Sequence, residues 1–493
     1  MRTSSLARLM RLAGAAPDSI TRRRFLQATL AAGAALMLPR RSPSAAVAGT
    51  RPRVVVVGAG LAGLSCAYQL LRSGADVQVL EARNRVGGRV FTLQNFVHDK
   101  VIEAGAELVG GNHPTWMAYA KEFGLGMRDV SEEADHTSPI LIGGITYSNK
   151  QAEKLWEQID KALALMNADA RSVNLEHPWL TTHAERLDQR SFAQAAASWP
   201  LEPHVREAAT ALMANDNVFQ PAKVSYLGIL STIAGGGIEA FWSESEIYRC
   251  ASGNQALAFQ LAKAIGPERI KLRTPIAKIA LRADGVRITT AGGQSQEADL
   301  VVLTAPPTTW DQMAFDPVLP SDLKPYAGPA IKYLTAVDKP FWRRDRLGPD
   351  ALTDTEIGET WNATDGQQNS SQDPSCFTVF SGGDAAARCL KIPRQQRDRQ
   401  MTAWIERIYP SYGNSAQRRM FMGWPEDRWT ACGYTSPSLG EVTRIYPLLE
   451  QGVDDRLYFA GEYSSLQFTG FMEGGLHSGA ALAKRLSQKL NLR

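Results

Sequence analysis

The 493-residue chain is long enough for two or three domains around a large core, and its 44% hydrophobic and 21% charged residues are those of a globular protein. Its formal charge of +4 originates at the N-terminus: residues 1–48 hold eight of the 54 basic and one of the 50 acidic residues, leaving 46 against 49, a net of −3. That balance excludes a general attraction to nucleic acid or anionic membranes.

The first 48 residues read as an export leader. Thr21-Arg22-Arg23-Arg24-Phe25-Leu26-Gln27 resembles the twin-arginine consensus, an alanine-rich apolar run follows to Leu38, and Ala46-Val47-Ala48 offers small residues for cleavage. The apolar run is too short for a permanent anchor. A bacterial, periplasmic or secreted protein, carried folded by the twin-arginine machinery, is expected.

Residues 54–89 come next. Four valines lead into Gly58, Gly60 and Gly63, an apolar helix follows, and a second strand ends at Glu81. Gly58 suits a tight strand-to-helix turn, Gly60 a close backbone approach to a pyrophosphate, and Gly63 close packing of helix on strand. The helix N-terminus favours the phosphates, and Glu81 is placed to accept from a ribose hydroxyl. This fingerprint alone leaves NAD and FAD both open. Arg83 and the Gly87-Gly88-Arg89 turn resemble the extended dinucleotide motif of FAD-dependent oxidases.

Val101 to Leu108 is strand-like and runs into Gly110-Gly111-Asn112-His113-Pro114. From Thr115 to about Ala240 the apolar spacing turns helical, as in Trp156 to Met166 and Val205 to Met213. A helix starts near Ser252, and short strands follow at Ile270 to Leu272, Ile276 to Leu281, Val286 to Ile288 and Leu300 to Leu303. Pro306-Pro307 stops the last of them. Residues 321–435 carry more strand signals, with Ile331 to Val337 and Phe377 to Phe380 as examples, and Gly358 to Pro374 reads as a polar loop. Leu457 to Glu462 is a strand ending in an acid, and a helix opens at Gly470 to Gly475 and continues to about Leu490. The five cysteines, Cys66, Cys250, Cys376, Cys389 and Cys432, show no CxxC spacing, and the seven histidines form no HxxxH cluster, so neither a metal centre nor a disulfide framework is expected.

Taken together, the two ends resemble the flavin-containing amine oxidase family: the monoamine, polyamine and L-amino-acid oxidases. The resemblance covers nearly all of residues 52–490. Its carriers are the fingerprint with its GGR turn, Ala330 to Arg344 (AIKYLTAVDKPFWRR), and Phe459 to Gly479 (FAGEYSSLQFTGFMEGGLHSG). It implies an α/β, Rossmann-like FAD fold of the two-dinucleotide-binding-domain type with a mixed α+β substrate domain. FAD would be bound by residues 49–112, 246–320 and 436–493, and substrate by 113–245 (helical) and 321–435 (strand-rich).

The resemblance also implies roles. Gly58, Gly60, Gly63, Glu81, Arg83, Gly88 and Arg89 would hold the ADP half of FAD, Ile276 would lie against the adenine, and Glu462 would bind the ribityl or pyrophosphate. The Met472 N–H would face the flavin pyrimidine. Lys332 would hold a water near flavin N5, and Tyr434 and Phe471 would form the aromatic pair that admits the amine. Where monoamine oxidases attach flavin through a cysteine, Gly433 precedes Tyr434 and Cys432 is one residue off, so noncovalent FAD is expected.

The implied reaction is oxidative deamination of a primary or secondary amine or L-amino acid. Hydride passes to flavin N5, the imine hydrolyses, and O2 becomes H2O2. An amine dehydrogenase serving a periplasmic electron carrier, or a desaturase-like or porphyrinogen-oxidase-like flavoenzyme, remains open. Arg249 is the candidate for a substrate carboxylate, while Glu107 and Asn112 lie where a cationic substrate would meet them. A homodimer is compatible with the sequence, and no nucleic-acid partner is expected.

Overall fold

The computed structural model describes residues 51–130, 136–367 and 373–492, together with Gly33 and Met37. Apart from those two, the expected leader of residues 1–48 lies outside the described residues.

Five strands form a parallel sheet in the order Leu457–Phe459, Leu300–Leu303, Arg53–Val57, Asp76–Leu80 and Ile270–Lys271. Both faces of this sheet are covered. Val54 and Val56 enter a core with the helices Leu61–Arg72, Gln255–Ile265 and Met472–Lys489, while Val55 and Val57 enter a second core with Ile276, Ile279, Val286 and Ile288. Those last residues belong to a four-stranded sheet, Ser295–Ala298, Gly285–Thr290, Ile276–Arg282 and Ala314–Asp316. Burial on both sides is why the valine run shows no polar alternation.

Two glycines set the layer spacing. A Cβ on Gly63 would stand 2.0 Å from the Gly58 carbonyl oxygen, and one on Gly479 would stand 2.3 Å from that of Ala62. The last helix therefore lies directly on the fingerprint helix, where the Ser65 hydroxyl donates to the Leu476 carbonyl at 2.9 Å.

The other half is built on a seven-stranded sheet, in the order Ala416–Gly423, Ala330–Val337, Ser375–Gly382, Glu359–Asn362, Leu352–Thr353, Ile140–Ile142 and Ile145–Tyr147. Helices Lys150–Ala170, Pro203–Asp216 and Tyr226–Gly235 pack beside it through Ile159, Leu163, Leu212 and Ile229.

Two local expectations are corrected. The segment read as helical, 113–245, contributes the hairpin Ile140–Tyr147 to the sheet, and the expected polar loop Gly358 to Pro374 begins with a buried strand, Glu359–Asn362. That strand is polar yet buried, and beyond Glu359 its neighbours satisfy it. Thr360, for example, donates to Pro349 and accepts from Ala351.

Candidate active site

One long cavity runs between the two halves, and it is lined by every nominated site residue except Gly63, Asn112 and Arg249. Gly63 acts one step back, holding helix to strand. At one end the walls are backbone. Gly58 has φ +112°, a conformation that favours glycine, and Gly88 approaches Gly60 so closely that a Cβ on it would stand 3.3 Å from the Gly60 Cα. A Cβ on Gly60 would meet nothing within 4 Å, because it would project into open space.

Two helices begin at this cavity, Leu61–Arg72 and Met472–Lys489, and neither has a side-chain cap. Their first-turn N–H groups and positive dipole ends are therefore free for an anion. Glu81 accepts from the backbone N–H of Ala59 at 2.6 Å and of Arg83 at 2.7 Å, which fixes its carboxylate at the strand end. Ile276, the first residue of its strand, lies farther along the wall. This combination fits a dinucleotide: open space beside Gly60, uncapped helix ends and a fixed carboxylate.

The arginines of the fingerprint also tie in distant segments. Arg83 forms a two-pronged pair with Asp427, 2.8 and 2.7 Å, and donates to Thr430. Arg89 donates to Glu462 at 2.8 Å and to the Gly433 carbonyl at 2.9 Å. Glu462 in turn accepts from Thr435 and from the Gly470 N–H. Arg85, which sequence reasoning passed over, shapes the GGR turn by donating to the Val86, Gly88 and Val90 carbonyls.

Toward the other end the walls become side chains. Lys332 is buried, and its ammonium donates to the Glu103 carbonyl at 3.1 Å, the Gly105 carbonyl at 2.8 Å and Glu107 Oε2 at 2.6 Å. An ammonium has three donors, and here each has a protein acceptor. The other oxygen of Glu107 accepts from Arg249 and from the Trp361 indole at 2.9 Å each. Arg249 is thus half of a buried ion pair, with Nη2 2.8 Å from Glu107, and not an open carboxylate receptor. Asn112 is turned away too, donating to the Gly236 carbonyl and Ser245.

Tyr434 and Phe471 face this part of the cavity. The Tyr434 hydroxyl donates to the backbone carbonyl of Asp216, and the absence of a side chain at Gly470 makes room for its ring, since a Cβ there would stand 2.8 Å from Cδ2. The Phe471 ring packs at 5.2 Å against that of His113, whose Nδ1 accepts from the Gly110 N–H. Burial lowers the His113 pKa to about 3, so it is a neutral spacer.

Sequence reasoning missed three carboxyl groups that line the same region: Asp216, Glu246 and Glu359. Only register reveals Glu359. It pairs with Phe380, which pairs with Lys332, so the three side chains form one row across adjacent strands. Asp216 arrives at the end of the Pro203–Asp216 helix, pressed onto the sheet at Gly382, where a Cβ would stand 2.1 Å from the Asn215 carbonyl oxygen.

Comparison with known proteins agrees with this architecture. The family model for flavin containing amine oxidoreductases matches residues 61–487. A probable flavin-containing monoamine oxidase A of Dictyostelium discoideum is 26% identical over 457 residues, covering 89% of this chain and 98% of its own. The flavin-containing amine oxidase B of Homo sapiens is 25% identical over 462 residues, covering 88% and 85%. Among solved structures, the cyclohexylamine oxidase of Brevibacterium oxydans and a putrescine oxidase bound to putrescine each superpose with a TM-score of 0.78 at 22% identity, covering 90% of this chain and 100% of theirs. These structures share the α/β FAD-type fold that the sequence implies.

Proposed function

Because the chain belongs to the flavin-containing amine oxidoreductase family, we propose that within the family's FAD-dependent oxidative deamination it takes an amine without a carboxylate, and holds FAD noncovalently. The chemistry that FAD supplies when bound is acceptance of hydride from the carbon bearing the amine, with electrons passing to O2.

One observation carries the substrate reading: the guanidinium of Arg249 is buried against Glu107, and the charged groups around Tyr434 are the acids Glu107, Asp216, Glu246, Glu359 and Glu462 with the cations Lys332 and Arg89. Acids outnumber the cations, so an amine is attracted where a substrate carboxylate would be repelled. Tyr434 and Phe471 hold the amine between aromatic faces and exclude water, and burial there favours its neutral, reactive form. Lys332 keeps a fixed positive charge at the wall through its three acceptors. No side-chain base is required if the amine binds unprotonated.

Noncovalent attachment is supported by the cysteines, none of which lines the cavity among the described residues. Gly433 itself admits no side chain, since a Cβ would stand 2.6 Å from that of Ala330. Acid precipitation is expected to release yellow flavin into the supernatant; colour kept in the pellet would refute it. For the substrate class, the purified yellow protein is titrated anaerobically with amines and L-amino acids and then exposed to air. Amines should bleach the flavin and air should restore it, whereas bleaching by amino acids alone would reverse the assignment.

Export by the twin-arginine route is a further part of this reading, supported by the leader sequence. Replacing Arg22 and Arg23 with lysine should leave the protein in the cytoplasmic fraction; unchanged periplasmic recovery would rule that route out.

A further inference from the structure

Glu359 stands out in the cavity wall. It is 4% exposed, it lines the cavity, and its Oε1 has no hydrogen-bond partner among the described residues. It also shares a hydrogen bond with Asp216, so one acid meets another. Burial, reinforced by the neighbouring Asp216 and Glu246, holds the Glu359 carboxyl well above the ordinary carboxylate range, and burial together with these three acids and Glu462 raises the Tyr434 hydroxyl. A fold seeking only stability would fill this position with an apolar side chain.

An incoming ammonium changes the balance. It brings three N–H donors and a positive charge, which allow the crowded carboxyl groups to ionise and give the unpaired oxygen a partner. The row Lys332, Phe380, Glu359 spans two interstrand steps, so the Glu359 Cα lies about 10 Å from that of Lys332. Phe380, Trp361 and Tyr434 line the space between, a surface suited to methylene groups and to the flank of a cation.

We infer that Glu359, with Asp216 and Glu246, forms a second ammonium subsite, and that the substrate is an aliphatic diamine or polyamine with one nitrogen oxidised beside Lys332 and another anchored at Glu359. The inference rests on the amine-oxidising reading above. It adds a requirement that the reading lacks, namely a second charge at a set distance from the first.

The test compares flavin reduction in the holoenzyme by two homologous series, n-alkylamines and α,ω-diamines of equal carbon number. The diamine should exceed its matched monoamine in kcat/KM by roughly 100-fold, with an optimum at one chain length. Glu359→Gln should lower that ratio at least about tenfold while retaining FAD. Monoamines that match diamines in the wild type would overturn the subsite, as would a ratio unchanged in Glu359→Gln. If that variant does not fold, the wild-type series decides alone. Failure of both series to bleach the flavin would overturn the parent reading and this one together, and is distinguishable because monoamines then fail as well.

Discussion

At the end of the cavity proposed for the nucleotide the walls are backbone: Gly58, Gly60 and Gly88, and the uncapped starts of the Leu61 and Met472 helices. At the end proposed for the substrate they are side chains, and Lys332, Glu107, Asp216, Glu359 and Tyr434 come from five separate stretches of chain. Backbone walls demand particular residues at particular spacings, because only glycine allows the approach. Side-chain walls demand only that the sheet and helix ends deliver a group to the right place, so many sequences serve and substrates can diverge.

The largest test of that contrast is at Gly63. A Cβ 2.0 Å from the Gly58 carbonyl oxygen meets rigid backbone, so Gly63→Ala should cost at least about 3 kcal/mol and appear as insoluble or flavin-free protein. Gly60→Ala is the control. Its Cβ has open space, so the fold should keep its melting temperature without flavin while FAD affinity drops at least about tenfold. Equal melting temperatures for both apo variants would erase the distinction between packing glycine and cofactor glycine.

This contrast also explains what the sequence disclosed. The pattern Gly58, Gly60, Gly63, Glu81 is readable because its geometry closes within one strand-helix-strand unit, and the Gly475 to Gly479 segment is readable because that helix rests on the same unit. Glu359 was hidden. Glu359-Thr-Trp-Asn follows a glycine and precedes the polar run to Asp365-Gly366, so its composition reads as loop, while its burial comes from Phe380, Asp216 and a helix more than 140 residues upstream. Arg249 misled in the other direction: an arginine near the active site suggests an anion receptor until its partner, Glu107, is seen.

A buried carboxyl within the first half gives the next effect. Glu473 is fully buried and accepts from the Thr115 and Trp116 N–H groups, joining the last helix to the start of the Pro114–Phe123 helix. Burial raises its pKa from 4.5 to about 7. The folded state then holds this proton more tightly than the unfolded one, so the contribution is fully present below about pH 4.5 and is lost as pH rises through about 7, by up to about 3 kcal/mol. Glu103, also raised to about 7 by burial, adds in the same sense. Glu473→Gln should remove about half of the fall in Tm between those limits, and an unaltered slope would show that Glu473 does not titrate there.

A smaller effect is expected at Lys332, because its replacement removes charge without removing the sheet. Lys332→Met leaves the Glu103 and Gly105 carbonyls without this donor and Glu107 with Arg249 and Trp361. Flavin reduction or reoxidation should slow at least roughly tenfold, about 1.4 kcal/mol of barrier, with FAD still bound. Unchanged stopped-flow rates would remove the lysine from the chemistry and make its three-acceptor cradle purely structural.

The smallest effect is expected at Tyr434, and it separates two uses of one side chain. Its hydroxyl donates to the Asp216 carbonyl, so the group points into the wall and the ring face is left to the substrate. Tyr434→Phe should therefore cost one hydrogen bond, about 1 kcal/mol of stability, while flavin reduction by amines changes less than about fivefold. The partner position already works without a hydroxyl, being Phe471. A loss near 100-fold with unchanged stability would mean that the hydroxyl meets the reacting amine, and a side chain read as wall would become chemistry.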